Sequence, residues 1–287
     1  MKKLFALATL ASLLFSCTEN PSSESYHTQE KWPINISTSI TRATDTAFEN
    51  GDKVGIFIVN QPNALKASGN YVDNMAFTYS GKWSSASPIY WKDETTKADF
   101  YCYYPYTDNV SSIDAYPFSI KADQSTSANY KASDFLWGKT TGVSPTKEAV
   151  GITVSHLMSN VVIKLVAGAG YTESDMKSAS VTICGLKTNS IINLTTGAVS
   201  ASGSASDITP IDEGDQRRAL VVPQSITNSD IIKVTIGDKV YILNQSVEFK
   251  SGKQHTCTLT VEGKNQGVNI GINGWETDEV DFGGTVE

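Results

Sequence analysis

Short runs of β-branched and aromatic residues, each closed by glycine, proline or a polar turn, recur from residue 32 almost to the end of the chain. This punctuation constrains the fold most, because runs so short cannot supply the several turns that a packed amphipathic helix needs. Trp32, Ile34, Ile36 and Ile40 stand on alternate positions, with Asn35, Ser37, Ser39 and Thr41 between them, which predicts a strand with one apolar face. The turn signal Glu49-Asn-Gly-Asp52 leads into Lys53-Val-Gly-Ile-Phe-Ile-Val59, an apolar run suited to a strand buried on both faces. Phe77 to Trp83 reads as a hairpin around Ser80-Gly81, and the aromatic run from Ala98 to Tyr106 is broken at Pro105. Further strands are predicted around 134–138, 149–157, 161–166, 178–184, 191–194, 219–222, 231–236, 240–243, 257–261 and 268–282. The only helix-like window is Tyr171 to Lys177. The expectation is an all-β protein, and 287 residues suit two domains, with the loop from Gly142 to Lys147 as the candidate boundary.

The first residues read as an export signal. Lys2 and Lys3 precede an apolar run, Leu4 to Phe15, that is too short to span a bilayer. It ends in Leu13-Leu14-Phe15-Ser16-Cys17, which resembles the lipobox cleaved by the lipoprotein signal peptidase. Residues 1–16 are then the signal peptide and Cys17 the lipidation site, anchoring the chain as an outer-membrane lipoprotein. The polar stretch from Cys17 to about Glu30 reads as a flexible tether. A net charge of −7 leaves no basic face to neutralise phosphates, so nucleic acid is excluded as a partner.

Catalysis needs titratable groups set near one another, and few are offered. Of three histidines, His27 lies in the tether, while His156 and His255 fall in or beside strands with no second ligand at metal spacing. No catalytic, metal or cofactor motif is present, so no enzyme activity and no cofactor is expected. Cys102, Cys184 and Cys257 sit in apolar or alternating stretches and read as small hydrophobes rather than a disulfide framework, although one pair is open. Tyr101, Tyr103, Tyr104 and Tyr106 fall on both faces of one strand and read as core. A rival reading takes Trp83, Tyr90 and Trp91 as an exposed glycan-binding platform. Asp45-Thr46-Ala47 resembles a short bacterial O-glycosylation acceptor motif at Thr46.

Arginine occurs only at 42, 217 and 218, so an Arg-specific protease meets a single site in the first 216 residues. Cleavage of the Arg42–Ala43 bond severs the strand carrying Trp32, Ile34, Ile36 and Ile40 from everything after it. Losing a strand exposes a groove of apolar side chains and unpaired backbone groups, which a strand from a second chain can fill. The segment 267–287 repeats the required spacing in Val268, Ile270 and Ile272, followed by Trp275, and is the candidate donor. Head-to-tail insertion of this kind is heterologous and need not close, so it can build filaments.

Several segments, in this order, resemble the fimbrillin family of pilins and pilus accessory subunits: Thr41-Arg-Ala-Thr44, Phe48 to Phe57, Ala98 to Pro105, Asp134-Phe-Leu-Trp137, Val154 to Ser159, Val221-Val-Pro-Gln224, Phe249 to Lys253 and Ile272-Asn-Gly-Trp275. The resemblance implies two tandem transthyretin-like β-sandwich domains, here 43–148 and 149–287, after a lipidated tether and removable strand at 17–42. It also implies export as a lipoprotein, cleavage after arginine and polymerisation by donor-strand exchange into a fimbrium that serves cell adhesion. The implied partners are other pilin subunits, the outer membrane before processing, an Arg-specific protease and a host or bacterial surface ligand. A pilus tip or membrane anchor that does not polymerise is the alternative within the family.

Overall fold

The computed structural model describes residues 31–40, 48–263 and 269–281. In chain order the strands are β1 (Ile36–Ile40), β2 (Lys53–Asn60), β3 (Val72–Tyr79), β4 (Trp83–Ser85), β5 (Ala98–Tyr104), β6 (Tyr116–Ser119), β7 (Leu136–Val143) and β8 (Val150–His156). They continue as β9 (Ser159–Ala167), β10 (Ser180–Ile192), β11 (Val199–Ile208), β12 (Ile211–Asp212), β13 (Arg217–Val221), β14 (Gln224–Ile236), β15 (Lys239–Phe249), β16 (Lys253–Glu262) and β17 (Asn269–Asp281). Two short helices, α1 (Ser127–Ala132) and α2 (Glu173–Ser178), complete the described elements, so the protein is all-β as its punctuation predicts.

The strands form three sheets. A seven-stranded sheet runs β1-β8-β7-β5-β2-β3-β4; a second runs β11-β10-β14-β15, with β6 added on β10; a third runs β12-β13-β9-β16-β17. The continuous apolar run of β2 is explained by two cores. Val54, Ile56 and Ile58 enter one apolar cluster, while Phe57 and Val59 enter the other. β5 divides in the same way, with Phe100 and Cys102 on one side and Tyr101 and Tyr103 on the other. A strand buried on both faces has no polar side to alternate with, hence the unbroken hydrophobic sequence. The cluster that holds Phe57 and Tyr103 continues through Phe135, Ile163 and Ile183 to Leu259, so the first sheet shares a core with the other two.

The loop between β7 and β8 joins two strands of the first sheet, and the chain leaves that sheet at Leu157 and Met158. Several elements differ from the sequence expectation. The strands expected at 178–184 and 191–194 are one strand, β10, bent at Gly185, whose φ of +66° accommodates the register shift between Ile183 and Leu186. β11 reads Val-Ser-Ala-Ser-Gly-Ser-Ala-Ser-Asp-Ile, a run of small residues with weak strand preference, held by pairing with β10. α2 lies in the expected window and begins with a capping box, in which the Thr172 side chain accepts from the Asp175 amide and Asp175 accepts from the Thr172 amide.

Candidate functional site

The N-terminal strand closes a groove. From Trp32 to Thr38 every second side chain faces inward: Ile34 and Ile36 are each 6% exposed, and Trp32 and Thr38 are half-buried. Burying the two isoleucines contributes about 1.5–3 kcal/mol each. The segment changes partner along its length. At Pro33 it pairs antiparallel with Tyr90, through Ile34 N–H to the Ile89 carbonyl at 2.7 Å and Trp91 N–H to the Trp32 carbonyl at 2.9 Å. Pro33 itself stands where no N–H is called for, which is why proline is tolerated there. Beyond Asn35 the strand pairs parallel with β8, in the register Ile36 opposite Val150 through Ile40 opposite Val154. One wall of the groove is therefore β8 and the other is the 89–91 segment. Its floor is the apolar cluster of Val54, Ile56, Phe77, Phe100 and Ile152.

The other end of the same sheet reaches this strand. The indole Nε1–H of Trp83, on β4, donates to Thr38 Oγ1 at 2.7 Å, so the two terminal strands of the seven-stranded order meet across the groove. Phe48 packs edge-on against Trp83 with centroids 4.8 Å apart, and Tyr79 lies 5.1 Å from it, which holds the indole in place. At the entrance, the Lys147 ammonium sits 5.3 Å from the centre of the Trp32 ring. Trp91, 6% exposed, donates to the Thr146 carbonyl at 2.9 Å and ties the 89–91 wall to the β7–β8 loop. The aromatic residues considered as a glycan platform are thus turned inward at Trp83 and Trp91; Tyr90 is 37% exposed.

The candidate donor segment forms the edge of the third sheet as β17, antiparallel to β16, with Ile270 opposite Val261, Ile272 opposite Leu259 and Trp275 opposite Cys257. Cys17, Arg42, Ala43, Thr46 and Val268 lie outside the described residues, and Ile40 and β17 are described by their backbone.

The remaining polar residues of interest are built into the frame. His156 is 7% exposed and its Nδ1 lies 2.9 Å from Asp134, on the neighbouring strand connection. His255 is fully buried, with its Nε2 accepting from the Lys250 amide at 3.0 Å. Among the described residues, no cluster of His, Cys, Asp and Glu is arranged to hold a metal ion. Cys102, Cys184 and Cys257 are free thiols; burial pushes Cys257 up to about 12 and Cys102 far above its ordinary value. Tyr103 stacks on Phe135 with centroids 6.1 Å apart, and burial pushes its hydroxyl up to about 12 despite hydrogen bonds to Thr107 and Asn74. Arg217, 3% exposed, donates to the carbonyls of Gly214, Met176, Lys177 and Ala179 and lies 3.1 Å from Asp212. Arg218 donates to the Tyr130 hydroxyl at 2.8 Å.

Sequence reading located the apolar face of the N-terminal strand but not its walls. Thr38 continues the alternation between Ile36 and Ile40, and that position was the available signal for an inward polar residue. Trp83, Ile89 to Trp91 and Lys147 are distant in sequence and carry no local signature of the groove.

A fold of three β-sheets, whose first sheet is closed by an N-terminal edge strand, defines an all-β subunit with one strand seated in an apolar groove. The fimbrillin-like family profile matches residues 41–275, and the chain belongs to that family. It is 25% identical over 293 aligned positions to Fim1C of Bacteroides uniformis, named as a candidate fimbrium subunit, covering 96% of this chain and 95% of that protein. It is 28% identical over 190 positions to Fim1C of Bacteroides ovatus, named as a candidate fimbrium tip subunit, covering 57% of this chain and 35% of that protein. The fold matches the crystal structure of a candidate cell adhesion protein from Bacteroides uniformis at a TM-score of 0.70 and 22% identity, covering 88% of this chain and 99% of the other.

Proposed function

We propose that the chain is a structural subunit of a surface fimbrium and contributes to adhesion. It is exported as a lipoprotein on Cys17, cut between Arg42 and Ala43, and polymerised when the C-terminal strand of a neighbour, within 267–287, replaces its own N-terminal strand. The observation that carries this reading is the seating of residues 32–40: an edge segment at the start of the fold, held between β8 and the 89–91 wall, filling an apolar groove. Such a segment is removable without cutting through any sheet, and its departure creates a site that another strand satisfies. The position of the other arginines supports the choice of Arg42. Arg217 and Arg218 lie on β13, between β12 and β9, with side chains 4% and 13% exposed. The family relationship supports assembly with other pilin subunits. Its role is one of assembly and binding rather than catalysis, a reading the family relationship supports.

The test is to treat purified lipid-free precursor with an Arg-specific protease. The expected product begins at Ala43 and forms a ladder of oligomers, which a chain lacking residues 267–287 does not form. A product that starts at Ala43 and stays monomeric identifies a tip or anchor subunit instead. A different N-terminus overturns the processing step.

A further inference from the structure

The groove has a polar position within its apolar register. Counting inward side chains from the entrance, Trp32, Ile34 and Ile36 are followed by Thr38, whose hydroxyl accepts the Trp83 indole proton at 2.7 Å. Tryptophan has one donor and no acceptor, and the contacts of this ring with Phe48 and Tyr79 hold its N–H toward the strand. Trp91 and Trp137 donate to main-chain carbonyls, of Thr146 and Leu194, and keep those partners whatever occupies the groove. Trp83 depends on the occupant. The outward positions offer less discrimination: Ser37 reaches the Val150 carbonyl at 3.5 Å and Ser39 meets Thr153 at 3.2 Å, both on the solvent side.

We propose that Trp83 sets the register and the selectivity of the groove, which accepts an extended strand carrying two alternate aliphatic residues followed, two positions on, by a side chain with a hydrogen-bond acceptor. A strand slipped by two residues places an aliphatic group against the indole N–H, and a donor left without a partner in a half-buried aromatic setting weakens binding. A slip by one residue turns the whole apolar face outward. The aliphatic pockets thus supply affinity, and the Trp83 N–H supplies the register. The partner is a strand with that pattern from a different subunit; in 267–287 of this chain Ile270 and Ile272 are followed two positions on by Gly274, so a copy offers the aliphatic residues but no acceptor for Trp83. The proposal deepens the strand-exchange reading, but it concerns what the groove binds and does not require filaments to form.

The test uses the full-length chain with a recognition site for a sequence-specific protease placed within 43–47, so that opening the chain does not depend on Arg42. After cutting, a fluorescent peptide of residues 31–42 is exchanged into the groove and competed with unlabelled peptides. The parent peptide and its Thr38→Ser form compete equally, and the Thr38→Val form competes about tenfold less well, the loss expected for one hydrogen bond. In a Trp83→Phe chain the parent and Thr38→Val peptides compete alike. Equal competition by Thr38→Val on the Trp83 chain, a tenfold gap that survives Trp83→Phe, or no exchange of any peptide overturns the proposal. If peptide selectivity holds while the Arg-cleaved precursor stays monomeric, strand exchange between copies fails and the register rule stands.

Discussion

Gly197 lies against the indole of Trp137, so close that a Cβ on the glycine would fall 2.5 Å from the ring. The contact joins the first sheet to the second, because Trp137 is on β7 and donates through Nε1 to the Leu194 carbonyl at 2.7 Å, in the turn between β10 and β11. Gly197 also has a φ of +77°, which a side chain resists. Gly197→Ala should therefore lower stability by about 2 kcal/mol or more. A denaturant midpoint unchanged from the parent would show that the joint yields without cost.

The inward face of the N-terminal strand should be separable from its outward face by substitution. Ile36→Ala empties a pocket in the first cluster and should cost about 2–4 kcal/mol. Ser37→Ala, on an exposed position, should stay within about 0.5 kcal/mol of the parent. Urea titrations of the uncut chain measure both, and similar losses at the two positions would refute the assigned faces.

The same contrast shows which parts of the fold were legible. Local pattern was enough wherever burial follows period, as in Ile34 and Ile36 with their polar neighbours, or wherever both faces are buried, as in Val54 to Val59. It failed for β11, whose Ser, Ala and Gly residues carry little strand preference and are held by pairing with β10. It also failed for the walls of the groove. The rival glycan reading of Trp83 and Trp91 as surface rings stays open in the sequence because nothing adjacent announces Thr38 or Thr146 as their partners. Such contacts arise from sheet order, and sheet order is set by long-range pairing.

Acid should loosen the wall beside the N-terminal strand. The Thr96 hydroxyl, followed by the Thr95 and Thr96 amides, holds the Asp93 carboxyl well below the usual carboxylate range, against a small desolvation effect. A depressed carboxylate stabilises the folded state above its unfolded value, and that contribution is lost as pH falls through the lowered folded value, here from about pH 4 downwards. Asp73, Asp123 and Asp175 are held low as well, so Asp93 supplies only part of the acid limb. Asp93→Asn should therefore weaken the chain at pH 6 and narrow its difference from the parent at pH 3. An offset of the same size at both pH values would contradict the assignment.

The three thiols among the described residues should react very unequally. Cys102 and Cys257 are buried and their thiolates strongly disfavoured, whereas Cys184 is half-exposed on β10, with its thiol raised by partial burial and by Asp207. A thiol reagent applied to the native chain at pH 8 should label Cys184 first, and Cys102 and Cys257 only after unfolding. Peptide mass mapping gives the order directly. Early labelling of Cys102 would place the core of the first sheet in doubt.

The arginines of β13 should resist the protease that the proposed processing requires. A protease needs its substrate in an extended, accessible segment, so cutting a strand paired on both sides requires local unfolding first. Arg217 makes such unfolding costly, since its guanidinium satisfies three main-chain carbonyls around the end of α2 and that of Gly214, and lies against Asp212. Replacing it with glutamine removes most of those donors and leaves buried acceptors without partners, a loss of about 3 kcal/mol. Limited digestion of the parent should accordingly give no fragment ending at Arg217 or Arg218 while Arg42 is being cut. Arg217→Gln should lower the urea midpoint and open Arg218 to the enzyme under the same conditions. Cleavage of the parent within β13 at a rate comparable with Arg42 would remove the reason for treating Arg42 as the single processing point.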